Sequence, residues 1–303
     1  MRVLHLDAGK TMRGGQWQAL RLIQGLAAES VESTLLARLG SPLFEAARKA
    51  GCRVEPLGFA RAAMRARRHD LIHAHDSRSH TIAALAGGAP LVVSRRVAFG
   101  GAASRPALAK WKYGRAARYI AVSEFVKSVL VERGVPSEKI AVVYDGVPLL
   151  NVPVRIEGPP RIVAPANADD PRKGATLALE AARLAGVELH LSDNLERDLA
   201  TASLFLYITH SEGLGSGALL AMSAGVPVVA SDVGGLPEII RHGENGWLVE
   251  NAPEAIAAAI RRLQGDPALA RSLGQAGRQT VVERFTVERM TRRTMEVYRQ
   301  ALS

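Results

Sequence analysis

Two consecutive strand–turn–helix units between Tyr207 and Val249 constrain the fold of this chain more than any other feature. A predicted strand, Leu204–Ile208, runs through a polar turn into a helix whose first turn is rich in glycine. A second strand, Val226–Ala230, runs through Gly234–Gly235 into a short predicted helix. Parallel strands place such turns on one edge of a sheet, where helix N-termini and bare N–H groups collect. The pattern predicts a parallel α/β sheet with an anion-binding edge. An ordinary α/β unit that uses glycine for close packing is the alternative.

Length and composition extend this α/β prediction to two domains. The chain has 303 residues, of which 48% are hydrophobic, and strand-like and helix-like segments alternate along it. Four prolines within 148–160 predict a linker between a first domain, 1–147, and a second, 148–286. We expect no transmembrane segment, because no run approaches ~18 apolar residues, and no signal peptide, because the N-terminus MRVLHLDAG leads directly into a predicted strand. The single cysteine, Cys52, then favours a cytoplasmic location.

The positive charge is confined to the first half of the chain. Residues 1–150 hold 23 Lys and Arg against 11 Asp and Glu, whereas the remainder holds 16 against 18. This asymmetry favours an anionic partner such as a phospholipid surface or a phosphorylated acceptor; a general arginine bias with solvated faces is the alternative. Cations interleaved with Trp111 and Tyr113 between Arg95 and Arg118 suit a membrane interface, or equally a solvated helix that buries its Trp. No recognition motif supports nucleic acid as the partner.

Three polar segments follow predicted strands. Gly14–Gly15 follows the first strand, but the loop lacks the G-x-G-x-x-G fingerprint, which disfavours a classical NAD site. His75 ends the strand of DLIHAHD; two histidines at i and i+2 give too few ligands, so we predict no metal. Arg172 and Lys173 precede a helix N-terminus, where cations oppose the dipole unless an anion lies between. This favours a diphosphate site, although solvent exposure would also accommodate the two charges.

Taken together, the motifs resemble those of the retaining GT-B glycosyltransferases of family 4. The segments that carry the resemblance are Gly14–Gly15, DLIHAHD, YIAVSEFVKSVLVERGVPSEKIAVVYDGV, DDPRKG, SEGLG, AMSAGVPVVASDVGGLPEII and NGWLV. The resemblance implies an α/β GT-B fold with two Rossmann-like domains facing each other across a cleft, and a last helix, 287–303, packed on the first domain. It also implies sugar transfer from a nucleotide-sugar, of UDP or GDP type, to a lipid-linked or cell-surface glycan. No metal or other cofactor is implied. The expected location is the cytoplasm, either free or attached peripherally to the inner face of the cytoplasmic membrane.

The resemblance also implies roles for individual residues. Lys173 would bind the donor diphosphate, Glu212 would hold hydroxyls of the donor sugar, and His75 would lie over the sugar or the acceptor. These three are the expected catalytic residues. The positions implied in donor and phosphate binding are Gly14, Gly15, Asn167, Arg172, Lys173, Gly213, Leu214, Gly215 and Leu220.

The chain departs from the family pattern on one side of the expected donor site. Leu220 replaces the second Glu of the Glu-x7-Glu motif, which binds the ribose, and Asn167 replaces an Arg. A helix and strand of about 30 residues, which usually helps to hold the base, is missing after Leu191. We therefore expect altered donor recognition. The alternative is a catalytically inactive GT-B protein that acts as a nucleotide- or glycan-binding or regulatory partner.

Overall fold

The computed structural model describes residues 1–97, 106–151, 161–166 and 174–303, with the backbone alone at 106 and 107. The chain divides into two compact units. Unit 1 consists of Met1–Gly146 and Val287–Ser303, and unit 2 consists of Val147–Thr286. Most of the expected linker lies outside the described residues. Within the described ranges, no helix is both long and apolar enough to span a bilayer.

Unit 1 is built on a seven-stranded sheet in the order β3-β2-β1-β4-β5-β6-β7, and all its strand pairs are parallel. Right-handed crossovers through helices are the usual way to connect such strands. The elements are β1 Arg2–Asp7, α1 Gly14–Ala28, β2 Glu32–Ala37, α2 Pro42–Lys49, β3 Val54–Pro56, α3 Phe59–Ala66, β4 Leu71–Ala74, α4 Ser77–Ala86, β5 Leu91–Arg95, α5 Pro106–Gly114, β6 Arg118–Ala121, α6 Glu124–Glu132 and β7 Ile140–Val142.

The last helix of the chain completes the core of unit 1. This helix, Val287–Leu302 and here called α12, contacts α1, β4, β5 and β6. Its residues Met290, Val297 and Tyr298 share one hydrophobic cluster with Val3 and Val92 of the sheet. Their 3.6-residue spacing places them on one face of the helix, so the C-terminus folds as part of the N-terminal sheet.

Unit 2 is built on a five-stranded parallel sheet in the order β12-β11-β10-β8-β9. Its strand β9 is an edge strand, and only one short helix, α8, lies between β9 and β10. The elements are β8 Ile162–Pro165, α7 Ala175–Ala185, β9 Leu189–Ser192, α8 Leu195–Leu199, β10 Leu204–Tyr207, α9 Ser216–Ser223, β11 Val228–Ser231, β12 Trp247–Val249, α10 Pro253–Gly265 and α11 Pro267–Arg284.

The segment after Gly235 differs from its sequence prediction. The expected short helix is a single 3-10 turn, Leu236–Glu238. Ile239 and Ile240 are each 1% exposed, so two consecutive residues both enter the core.

Candidate functional site

The turn after β10 fixes the carboxylate of Glu212 from two sides. The hydroxyl of Tyr207 donates to Glu212 Oε2 at 2.8 Å, and the N–H of Gly213 donates to Oε1 at 3.0 Å. The backbone carbonyl of Glu212 accepts the N–H of Gly235 at 3.2 Å. The turn is thus tied both to its own strand and to the turn that follows β11.

Glycines make this close approach of backbones feasible. A Cβ added to Gly235 would lie 2.1 Å from the carbonyl oxygen of Gly213, so any side chain there would force the two turns apart. Gly215 has a φ of +107° at the start of α9, a conformation that disfavours other residues. The two glycine-rich turns predicted from the sequence therefore contact each other.

A buried polar cluster supports the start of the turn. Ser231 Oγ accepts the N–H of Thr209 at 2.9 Å and donates to Asn251 Oδ1 at 2.6 Å. The Asn251 amide donates in return to the carbonyl of Thr209 at 3.0 Å. Since Ser231 ends β11 and Asn251 follows β12, three neighbouring strand ends are bonded together at this edge.

A small pocket lies at the carboxyl ends of β8 and β10, beside the start of α7. Gly174 at its wall has a φ of +32°, and an added Cβ there would lie 2.8 Å from the carbonyl oxygen of Ile208. Tyr207 is one of the residues at this pocket, and its hydroxyl donates to the carboxylate of the Glu212 turn. The lining residues are Ala164, Pro165, Gly174, Ala175, Ala178, Leu191, Leu206, Tyr207, Ile208 and Thr209.

The other positions expected in donor binding fall into two groups. Leu214 and Leu220 are 1% and 6% exposed, so their side chains belong to the hydrophobic interior. Asn167, Arg172 and Lys173 lie outside the described residues. Among the described positions, Glu212 is therefore the carboxylate that the turn after β10 presents.

In unit 1, His75 is enclosed by two other histidines. His5 of β1 and His73 of β4 are direct partners in the strand register, and the three rings lie 4.1 to 5.6 Å apart between centroids. His75 Nε2 lies 3.0 Å from His5 Nδ1, and His75 Nδ1 lies 3.5 Å from a guanidinium nitrogen of Arg96. Because a guanidinium only donates, His75 carries its proton on Nε2 and donates to His5. In this structure both ring nitrogens of His75 are thus engaged, and the residue is only 5% exposed.

The remaining imidazole, His73, connects the sheet to α12. Its Nδ1 lies 2.6 Å from the hydroxyl of Tyr298, and its Nε2 lies 2.8 Å from Ser94 Oγ. Burial lowers the pKa of His5 to about 3 and, with the nearby Arg96 guanidinium, holds the pKa values of His73 and His75 well below the usual range. The three imidazoles are neutral in the folded unit.

Among the described residues, these three histidines are the group that could share a metal ion by distance, because one ring nitrogen of each lies within 4.8 Å of the others. Their partners do not fit that use. Both nitrogens of His73 are bonded to hydroxyls, and the Arg96 guanidinium beside His75 would repel a dication. The cluster has the bonding of neutral, mutually packed imidazoles.

Arg96 is a residue whose importance the sequence did not reveal. It pairs with Asp145 at 3.2 Å, and the two side chains are only 10% and 8% exposed. A Cβ added to Gly15 would lie 3.7 Å from Arg96 Cδ, so this cation lies near the start of α1. Arg96 therefore lies near both Gly15 and His75.

Carboxylates hold the loop between β1 and α1. Asp76 accepts the N–H of Ala8 at 2.6 Å while capping α4, and Asp7 accepts the N–H of Gly9 at 2.8 Å. Burial, followed by the charge of Asp76, raises the pKa of Asp7. The loop that leads to Gly14 is thus fixed through its backbone.

The next histidine, His80 of α4, belongs to a separate network. Its Nδ1 accepts a hydrogen bond from Arg95 at 2.8 Å, and its Nε2 donates to the carbonyl of Lys112 at 3.1 Å. Burial and the charge of Arg95 lower the pKa of His80 to about 2.

Comparison with known proteins identifies the family. Residues 12–149 match the model of Glycosyltransferase Family 4, and residues 177–280 match that of Glycosyl transferases group 1. The structure of Anabaena HepE in complex with UDP-glucose superposes with a TM-score of 0.87 over 99% of each chain at 18% identity. The chain belongs to the family 4 glycosyltransferases and has the GT-B fold. The glycosyltransferase family and the GT-B fold predicted from the motifs are thereby confirmed, whereas the retaining mechanism stays a prediction.

Other members of the glycosyltransferases share parts of the chain or its fold. The alpha-maltose-1-phosphate synthase of Mycolicibacterium smegmatis is 39% identical over 34% of this chain and 28% of its own length. The N-acetyl-alpha-D-glucosaminyl L-malate synthase of Bacillus anthracis is 34% identical over 36% of this chain and 29% of its own length. The chain thus covers less than a third of these relatives. Sucrose-phosphate synthase from Thermosynechococcus elongatus shares the fold, with a TM-score of 0.79 at 20% identity over 99% of this chain and 98% of its own.

Proposed function

We propose that the protein is an active glycosyltransferase that uses a nucleotide-sugar donor. The observation that carries the proposal is the fixed carboxylate of Glu212 beside the N-terminus of α9. An oriented carboxylate accepts hydrogen bonds from sugar hydroxyls, and helix N-termini attract phosphate. Glu212 thereby binds the donor sugar, and the N–H groups that follow Gly213, up to Gly217, bind its phosphates.

Catalysis in this proposal rests on stabilising the departing diphosphate. Backbone N–H groups that are already oriented at the sheet edge need no reorganisation as negative charge develops on the leaving oxygen. Lys173 and Arg172 supply the positive charge, and Gly14 and Gly15 bring further backbone N–H groups. His75, neutral and held by its neighbours, lies at the sugar or acceptor. No metal is required, and the sugar is transferred with retention of its anomeric configuration.

The donor is a UDP- or GDP-sugar that is held unusually weakly at its ribose. A leucine at position 220 accepts no hydrogen bond, and each bond to a charged group that is lost is worth about 1.5–3 kcal/mol. Support for a uridine donor comes from the HepE structure, which contains UDP-glucose. The missing ribose contact also favours the alternative proposal, a GT-B protein that binds its ligand without turnover.

For the acceptor, we propose a lipid-linked or cell-surface glycan carrying negative charge, bound by unit 1 at the inner face of the membrane. The basic excess of residues 1–150 supports an anionic partner. Trp111 of α5 is 41% exposed beside Lys110 and Lys112, a combination suited to a lipid interface. Co-sedimentation with liposomes tests this step: binding should rise with the anionic lipid fraction, and indifference to that fraction would refute it.

Thermal unfolding with UDP, GDP and their sugar conjugates tests the donor proposal. A ligand at about 100 times its dissociation constant adds ~2.7 kcal/mol to the free energy of unfolding. Lys173→Ala should abolish the shift, whereas Lys49→Ala, an exposed lysine of α2, should leave it unchanged. No shift with any nucleotide at millimolar concentration would exclude the transferase. Binding without donor hydrolysis or transfer would favour the inactive alternative.

A further inference from the structure

We infer that Tyr207 is a positioning residue for sugar recognition, acting through the carboxylate of Glu212. The inference rests on the proposed function and adds a residue to its site. The phenolic hydroxyl donates to Glu212 Oε2 at 2.8 Å, five residues further along the chain. Tyr207 touches no donor atom in this role; it determines where the carboxylate points.

The ring of Tyr207 is itself held in place. It is 9% exposed and packs against Phe205 with ring centroids 6.0 Å apart. On its other side lies α9, where a Cβ added to Gly217 would approach Tyr207 Cε2 to 2.8 Å. The glycine at 217 therefore provides the space that the ring occupies, and the hydroxyl cannot swing away from Glu212 without opening this packing.

The hydroxyl is the distinguishing feature of this residue. Phe205 precedes Tyr207 by two positions, so both rings project from the same face of β10 and stack. A phenylalanine is thus accommodated on this face, and packing alone does not require a phenol at 207. What the phenol adds is a hydrogen-bond donor that reaches the turn.

The two bonds together fix the orientation of the carboxylate. The Gly213 N–H donates to Oε1 and the Tyr207 hydroxyl donates to Oε2, so both oxygens are held in place. Without the phenol, the Glu212 side chain populates more rotamers in the free protein. Fixing it in one rotamer then costs conformational entropy when the sugar binds. We expect the sugar-dependent part of donor affinity to fall by about tenfold.

A paired binding measurement isolates this effect. The dissociation constants of UDP and UDP-glucose, and of GDP and GDP-mannose, are measured for the unaltered protein and for Tyr207→Phe. The ratio of nucleotide to nucleotide-sugar constants reports on the sugar alone. Tyr119→Phe is the matched control, because it removes a phenol bonded to the carbonyl of Tyr113 in unit 1.

The expected result is that Tyr207→Phe weakens the sugar conjugate about tenfold, leaves the free nucleotide unchanged, and raises KM more than it lowers kcat. In the Glu212→Gln background, the same substitution should have little further effect, a coupling that a purely structural role would not produce. Unaltered sugar affinity in Tyr207→Phe, or an equal loss for free nucleotide and conjugate, overturns the inference while the transferase proposal stands. Absence of nucleotide binding by the unaltered protein overturns both.

Discussion

Mild acid should unfold unit 1 selectively. Four of its histidines, His5, His73, His75 and His80, are buried and have pKa values lowered from the usual 6.5. Each is neutral in the folded unit but takes up a proton in the unfolded chain. Their contribution to stability is therefore fully present above pH 6.5 and is lost as the pH falls towards the folded values, about 3 for His5 and about 2 for His80.

The size of the loss follows from the difference in proton binding. At pH 5, an unfolded histidine gains ~2 kcal/mol from protonation that its buried counterpart does not. Four such groups amount to ~8 kcal/mol, which is comparable to the ~5–15 kcal/mol that stabilises a typical domain. Asp7, whose pKa is raised, contributes with the opposite sign but is one group against four.

Urea unfolding followed by tryptophan fluorescence at pH 7.5, 6.5, 5.5 and 5.0 measures this dependence. Trp17 and Trp111 belong to unit 1 and Trp247 to unit 2, so a Trp247→Phe background reports unit 1 alone. His5→Gln should lower the proton uptake on unfolding by about one. A free energy of unfolding that falls by less than ~2 kcal/mol between pH 7.5 and 5.0 would refute the reasoning.

Three further substitutions have defined outcomes. Leu220→Glu should tighten UDP binding about tenfold or more and create a preference over 2′-deoxy-UDP in calorimetry; equal affinity for the two nucleotides would contradict the ribose argument. Asp145→Asn leaves the Arg96 guanidinium buried without its carboxylate, so urea unfolding of unit 1 should show a loss of about 3–5 kcal/mol that Arg96→Met partly restores in the double variant. Tyr298→Phe should cost ~1–2 kcal/mol by removing the hydroxyl from His73, and an unchanged midpoint would argue against that bond.

Local patterns revealed the turn that holds Glu212, because the strand, the glycines and the helix are contiguous in the chain. The hydrogen-bond partners of the site residues could not be predicted from the sequence, for a geometric reason. His5 meets His75 only through the parallel pairing of β1 with β4, and Arg96 meets Asp145 across 49 positions. Which strands become neighbours, and in what register, depends on the packing of the whole sheet.

The bond between Tyr207 and Glu212 was missed for a different reason. Its two residues are only five apart, but alternation along β10 assigns Tyr207 to a buried face and says nothing of its hydroxyl. The role of Gly217 could not be predicted either, because a glycine within a helix is also found where two elements simply pack closely. The structure shows that the Tyr207 side chain accounts for both features: its hydroxyl bonds to Glu212, and its ring fills the space beside Gly217.

The placement of α12 has a consequence for synthesis on the ribosome. The strands of unit 1 emerge first, yet Met290, Val297 and Tyr298, which close its core, are translated after all of unit 2. Until then the N-terminal sheet carries an uncovered apolar face and a His73 without its tyrosine partner. Unit 2 is contiguous in sequence, so its chain is complete before that of unit 1. A nascent chain stalled after Thr286 should therefore expose N-terminal apolar surface to chaperones, and adding the last helix should bury it.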